Sequence, residues 1–435
     1  MKTFLSSVQW ALFILMGSIV VPIAVASSYG LSPELTVEFV QRTLFVLGIA
    51  GILQTLFGHR LPVQEGPAGL WWGVFSLYAG LGPILFGSHV ETLRALQYAF
   101  LLSGVIFIVF SLFGWVEKIA QFISPTVVGV YLILMVVQLS GSFLQGMTGL
   151  HSDAQLIDPK TLILSIIIVL LSYGFMKLPR IGHYSVLFTI VFGWILFYMF
   201  DLAKPVMNVS EHFKLPDIFA FGTPRLEMNM VIMVILITFL LLANMLATVK
   251  VVQQVFAQEK VPFETNRLKQ TGVISGINQL LGGFFSAIGA VPISGSAGFI
   301  STTKITSKKP FIIGSLLIVG ISLVPKITSF VASIPEAVGY AAIFPIFASI
   351  IGLALQSFET VENKKHVFQI VGVSLFAGIG VMFIPSEAFS AMPPTVVSVL
   401  SNGLVFGSLI AIIAESILTR EQHVHKQTEN VKGSS

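Results

Sequence analysis

Residues 231–249 read VIMVILITFLLLANMLATV, nineteen positions without one charged side chain. A helix needs about 20 residues, at 1.5 Å each, to cross the hydrocarbon core of a bilayer. Lipid offers backbone N–H and C=O groups no partner outside the chain, so a run of this kind must be helical. The stretches 98–114 (YAFLLSGVIFIVFSLFG) and 161–176 (TLILSIIIVLLSYGFM) read in the same way. Around them, 55% of the 435 residues are apolar and only 10% are Asp, Glu, Lys or Arg. A soluble chain carries about a quarter charged residues. With so few charges this chain cannot clothe a water-exposed surface of its size, which implies an all-α integral membrane protein that crosses the bilayer many times. Cysteine is absent, so disulfides and thiolate metal sites are excluded. The formal charge of +4 reports topology rather than an affinity for nucleic acid. The first apolar stretch, 10–27, lacks a small-residue cleavage site and is expected to stay in the mature fold.

Apolar runs divided by charges or by Gly and Pro give fourteen segments: 8–27, 38–57, 62–80, 97–115, 121–140, 159–176, 184–201, 229–249, 270–284, 288–303, 310–325, 335–356, 366–384 and 396–418. Lys and Arg gather in cytoplasmic loops. With the N-terminus inside, fourteen spans divide the 24 basic residues 17 to 7 in favour of the cytoplasm. A missed or extra span would scramble every loop beyond it, so the ratio supports an even count with both termini cytoplasmic. The longest polar connection, 202–228, separates two halves of seven spans. An odd number per half makes the second half enter from the opposite side, the plan of an inverted repeat. Spans 3 and 10 occupy matching positions and are both interrupted, at Gly66-Pro67-Ala68-Gly69 and at Pro292-Ile293-Ser294-Gly295-Ser296. Paired interruptions of this kind point to a midplane binding site.

A charge in the hydrocarbon region is costly, so each one is a functional candidate. Every acidic residue but one falls in a loop or near a span end; the exception is Glu65, where broken span 3 begins. It reads either as an interfacial or capping carboxylate or as a protonatable coupling group. Asn244 and Thr248 lie one turn apart on one face of span 8. Asn offers donor and acceptor together, which suits a ligand displaying C=O beside N–H; interhelical hydrogen bonding is the alternative. Ser294, Ser296, Ser301, Thr302 and Thr303 either pack helices or line the site. Lys304 reads as an inside-facing anchor, and Trp71-Trp72 as packing. His59, in a loop beside Arg60, is not expected to relay protons. No G-x-x-x-x-G-K-[ST] or H-E-x-x-H sequence and no pair of intramembrane carboxylates is present. The chain therefore reads as a secondary transporter without cofactor, not as an enzyme or an ATP-driven pump.

Five local patterns resemble the nucleobase/ascorbate transporter family, the uracil/xanthine permeases, over essentially the whole chain. Val8-Gln9-Trp10 resembles the family's Gln-His pair with Trp in place of His. Arg60-Leu61-Pro62 followed by Gly66 is similar to its basic-x-Pro…Gly approach to span 3. Ser124-Pro125-Thr126-Val127-Val128-Gly129 resembles Pro-x-Val-x-Gly, and Ser333-Ile334-Pro335-Glu336-Ala337-Val338 resembles Ile-Pro-x-x-Val. Gly295 to Lys304 is similar to the signature [Glu/Gln/Pro]-Asn-x-Gly-x(4)-Thr-[Arg/Lys/Gly], which Gly298, Thr303 and Lys304 satisfy. Two departures stand out. Gly295 replaces the substrate-binding Glu or Gln, with Ser296 at the Asn. Asn244 and Thr248 stand at the carboxylate and second His of an Ala-Glu-His-x-Gly-His run.

The resemblance implies a core domain from 1–115 and 229–330, a gate domain from 116–228 and 331–418, and a homodimer. A cytoplasmic tail, 419–435, has the composition of a disordered end. The resemblance also implies import of a uracil- or xanthine-like base across the cell membrane, driven by a cation gradient (H+ in the first instance). Short β-like strands in spans 3 and 10 would hold the planar base through their backbone, so Ala68, Gly69, Ser294 and Gly295 can still serve without the family's carboxylates. Asn244 and Thr248 cannot titrate, which leaves Glu65 for the coupling proton, another ion, or no coupling. Two other readings are a carrier of another small polar solute or an anion on the same fold, and a non-transporting membrane sensor or assembly subunit.

Overall fold

The computed structural model describes residues 2–121, 123–150, 156–178, 182–203, 212–332, 334–385 and 402–432, with single positions at 388, 392, 396 and 400. Ser333 of the Ile-Pro-x-x-Val match, Arg180 and Lys204 lie outside these residues, as do the last three of the tail. In chain order the elements are α1 (Lys2–Met16), α2 (Val20–Ser28), α3 (Pro33–Leu56), β1 (Glu65–Pro67), α4 (Gly69–Phe86), α5 (His89–Leu112), α6 (Trp115–Ala120), α7 (Pro125–Met147), α8 (Pro159–Lys177) and α9 (Ser185–Met199). There follow α10 (Met228–Gln258), α11 (Leu268–Phe284), β2 (Ala290–Pro292), α12 (Gly295–Thr303), α13 (Lys308–Ser322), α14 (Pro325–Ala332), α15 (Glu336–Glu359), α16 (Lys364–Met382) and α17 (Gly403–Lys432).

Among the described residues, eight helical stretches are long and apolar enough to cross a membrane, α1 and α2 counting together as one of them (Thr3–Ser28). The chain is thus a multi-pass helical membrane protein. Local chemistry sets the helix ends. Ser32 and Ser88 accept the N–H groups of Leu35 and Glu91, and Asp158 accepts those of Lys160 and Thr161, so orphan donors of α3, α5 and α8 are satisfied. Gly87, at φ +95, closes α4 in the left-handed conformation. The first predicted span is two helices, because the chain turns at Gly17-Ser18 between α1 and α2. The tail, expected to be disordered, continues α17 as helix to Lys432; no Gly or Pro interrupts 408–432.

The chain forms two compact units. In Met1–Val116 with Gly141–Ser349, glycines let helix backbones approach closely. A side chain on Gly104 would meet the Gly276 carbonyl at 2.7 Å, and one on Gly48 the Ser315 carbonyl at 2.9 Å. These contacts join α5 to α11 and α3 to α13. In the second unit, Glu117–Ser140 with Ile350–Ser435, Val127, Val130, Leu134, Phe358, Val367, Ile370 and Ala411 form one buried apolar cluster.

At the centre of the first unit, β1 and β2 pair antiparallel, with Glu65 opposite Pro292, Gly66 opposite Val291 and Pro67 opposite Ala290. Six residues would be too short a sheet to stand alone in water. Here every strand residue is buried, and the ladder is lengthened by Ile293 N–H to the Gln64 carbonyl (2.9 Å) and Ala68 N–H to the Gly289 carbonyl (3.3 Å). Buried backbone groups are thereby paired where helix is interrupted.

Candidate functional site

The strand crossing fixes what surrounds it. A Cβ on Gly66 would stand 2.5 Å from Ile293 Cγ1, so only Gly allows the strands this separation. Successive strand residues face opposite sides. Gln64 accordingly reaches α1 and the turn after it, donating from Nε2 to the Ile14 carbonyl (3.3 Å) and Ser18 Oγ (3.0 Å). Glu65 turns the other way.

Four of the predicted residues gather on the β2 side. Thr248 on α10 shares a 2.7 Å hydrogen bond with Ser294 and donates to the Pro292 carbonyl at 3.3 Å. Ser296 accepts the Gln64 N–H at 2.8 Å, so its hydroxyl fixes β1 against α12. Gly295 lies between two rings: an added Cβ would be 3.4 Å from Phe347 Cζ and 3.6 Å from Phe13 Cζ. Phe13 packs on Phe299 (centroids 4.5 Å apart) and Phe347 on Phe143 (4.7 Å), so Gly295 has aromatic neighbours on both sides. Asn244, one turn before Thr248, is half-buried on α10. Ala68 is buried at the N-cap of α4, whereas Gly69 is exposed with open space around its Cα. Of the remaining polar residues, Thr303 donates to the Phe299 carbonyl within α12, and Lys304 pairs with Glu259. Trp71 is buried, and its indole N–H donates to Gln279 Oε1 at 2.9 Å, which makes it packing material.

Glu65 belongs to a different group. Its side chain is fully buried, and neither carboxylate oxygen has a hydrogen-bond partner. His59 Nε2 stands 3.7 Å from Glu65 Oε1. The buried Asn278 on α11 lies close enough to interact with the same carboxyl group, though its amide is outside hydrogen-bond geometry. His59 is thus no ordinary loop residue. Arg60 adopts φ +58, which sends its own guanidinium out to Glu264 at 3.0 Å and turns the imidazole inward. The Leu61 N–H then donates to His59 Nδ1 at 3.0 Å. Burial first, and then the positive charges of Lys308 and Arg267, push the His59 pKa down to about 3, so the ring is neutral.

Sequence reasoning missed His59, Asn278, Gln64 and the two rings Phe13 and Phe347. The turn sequence Gly58-His59-Arg60-Leu61-Pro62, six residues from the intramembrane carboxylate, carried the signal for His59. Phe is too common in this chain, with 37 copies, to single out a neighbour of Gly295.

A family model described as Permease family, that of the xanthine/uracil permeases, matches residues 1–387. A Bacillus subtilis protein, YwdJ, whose name places it among the purine permeases, is 42% identical over 422 residues, covering 95% of this chain and 96% of its own. The xanthine permease of Bacillus subtilis is 26% identical, covering 95% and 92%. Among solved structures, the transmembrane domain of the cyanobacterium bicarbonate transporter BicA superposes with a TM-score of 0.55 at 15% identity. It covers 94% of this chain and 96% of that one, a likeness of fold.

Proposed function

The chain belongs to the Permease family, the nucleobase/ascorbate transporters, and from that membership we propose that it imports a xanthine- or uracil-type base across the cell membrane with a proton. It is a transporter, not an enzyme. The observation that carries the finer reading is the buried β1–β2 crossing with Thr248, Ser294 and the Phe13 and Phe347 rings next to Gly295 beside it. A planar heterocycle offers faces to rings and N–H and C=O edges to amides and hydroxyls. Asn244, Thr248, Ser294, Gly295 and Ser296, with the backbone at Ala68 and Gly69, are assigned to the base.

We read the fold as fourteen spans in an inverted seven-plus-seven repeat, with both termini cytoplasmic. The pairing of helices supports it. Under that symmetry α3 corresponds to α11, and α5 to α13; the close contacts of α5 with α11 and of α3 with α13 are then equivalent. Residues 1–115 and 229–330 act as the core, 116–228 and 331–418 as the gate, in a homodimer. α10 and α12 offer no ionisable group at the base site, so the coupling proton is assigned to Glu65.

The test is uptake of radiolabelled xanthine, uracil, hypoxanthine and urate by cells lacking their own base permeases, with and without an uncoupler. Saturable uptake that collapses with the uncoupler is expected. Competition by inorganic anions but by no base would replace this reading with an anion carrier. No uptake of any solute by a well-inserted protein would leave a non-transporting membrane component.

A further inference from the structure

We propose that His59 is a positioning residue for proton release, a neutral hydrogen-bond donor held one short step from Glu65; this rests on the reading of Glu65 as the coupling group. Because a backbone N–H donates to Nδ1, Nδ1 carries no proton and the ring hydrogen sits on Nε2, the nitrogen that faces Glu65. A nitrogen bearing that hydrogen cannot accept the carboxyl proton. His59 is therefore not a relay; its only service to Glu65 is to donate.

At 3.7 Å it does not yet donate. Both Glu65 oxygens and Nε2 are without partners in a fully buried setting, which is the arrangement of a protonated acid waiting for a donor. Shortening the gap by roughly 0.7 Å, to an ordinary N–H···O distance, stabilises the carboxylate. The proton then passes to water on the cytoplasmic side, and His59 stays neutral throughout.

The two partners are anchored to different elements. β1 follows α12, through Gln64 N–H to Ser296 Oγ and Ile293 N–H to the Gln64 carbonyl. The His59 turn follows the start of α11, because Arg267 donates to the Gly58 carbonyl at 2.6 Å and to the Phe57 carbonyl at 2.7 Å. A base seated at Gly295 that shifts α12 therefore moves Glu65 against a fixed imidazole. The other groups facing the pair are Asn278 from α11 and the charges of Arg267 and Lys308, with Arg60 and Glu264 turned outward. Asn278 interacts with the Glu65 carboxyl group without reaching hydrogen-bond geometry, and the other groups do not bond it.

The experiment is uptake by proteoliposomes over a pH series for wild type, Glu65→Gln, His59→Gln and His59→Asn, each scaled to inserted protein. The Gln side chain replaces the Nε2 donor, whereas Asn replaces only the Nδ1 acceptor. Expected are a flat profile for Glu65→Gln, a wild-type profile for His59→Gln, and for His59→Asn a midpoint moved up by about one pH unit, a tenfold change in proton concentration. A wild-type profile for His59→Asn beside a flat one for Glu65→Gln overturns the role of His59 alone. A wild-type profile for Glu65→Gln removes the coupling assignment and this inference with it. Equal shifts in both histidine variants also overturn it, because the donor would then not matter. Should the histidine variants fail to insert, nitrogen-15 spectra of histidine-labelled wild-type protein read the tautomer directly. A proton on Nε2 is expected, and one on Nδ1 of His59 overturns the proposal.

Discussion

On the β2 side of the crossing, Thr248 and Ser294 share a hydrogen bond and Ser296 holds the Gln64 N–H. On the β1 side, Glu65, His59 and Asn278 lie together without a hydrogen bond among their facing atoms. Two strands of equal length thus stand in different polar surroundings. A satisfied network fixes one geometry, while an unsatisfied one stores a change of state, because an orphaned buried polar group gains by any movement that pairs it. Under the proposed function, the β2 side holds a ligand edge and the β1 side responds to its arrival.

The largest effect is expected from destroying the ladder that β1 and β2 share. Gly66→Val puts methyl groups into Ile293, which an added Cβ alone would approach to 2.5 Å. Overpacking of that kind costs about 1–3 kcal/mol and displaces backbone. Loss of transport together with reduced membrane abundance is expected; normal uptake would mean that the strands separate freely. Gly295→Leu and Asn244→Ala attack the β2 half alone. Each is expected to lower base uptake about tenfold or more, roughly 1.4 kcal/mol of binding, at near wild-type abundance. Full activity in both variants would remove the base site from this place. Glu65→Gln attacks the β1 half alone, and the expected result is retained uptake without its pH dependence.

The helical membrane setting of this contrast was legible in the sequence; the contrast itself was not. The charge-free run at 231–249 and the matched interruptions in spans 3 and 10 pointed to a helical transporter with a broken pair of segments. Glu65 stood out because it lies at the entrance to broken span 3, whereas the other carboxylates read as loop or span-end residues. His59 did not, because a position between two spans says nothing of burial; the inward turn depends on the left-handed φ of Arg60 and on the Leu61 N–H. Nor could the sequence assign Ser296, whose hydroxyl serves Gln64, a residue 232 positions away. Both failures concern partners that only the strand pairing brings together.

Ser296→Ala tests whether the satisfied half depends on its satisfaction. It leaves the buried Gln64 N–H without its acceptor, a cost of about 1–3 kcal/mol. A lower thermal midpoint in detergent and weaker base uptake are expected, with the pH dependence kept because the Ile293 N–H to Gln64 carbonyl bond still ties β1 to β2 and α12. Unchanged stability would show that water replaces the hydroxyl, and the two halves would then differ less than their hydrogen bonds suggest.

The smallest effect is expected at Glu264, an exposed carboxylate that sharpens the contrast with Glu65. Arg60 above all, and also Arg267 and Lys308, hold its pKa below the usual carboxylate range. A lowered pKa gives stability that is present above the unfolded value, about 4.3, and lost as the pH falls through the folded one. Between pH 5 and 8 the group is ionised in folded and unfolded chain alike, so it adds no slope there. Exposed ion pairs are moreover screened by water and salt. Glu264→Gln should therefore leave both uptake and its pH profile at wild-type values across that window, whereas Glu65→Gln flattens the profile. If Glu264→Gln flattened it too, the proton would be taken up at the Arg60–Glu264–Arg267 cluster on the surface. The unsatisfied β1 half would then be a passive feature of packing.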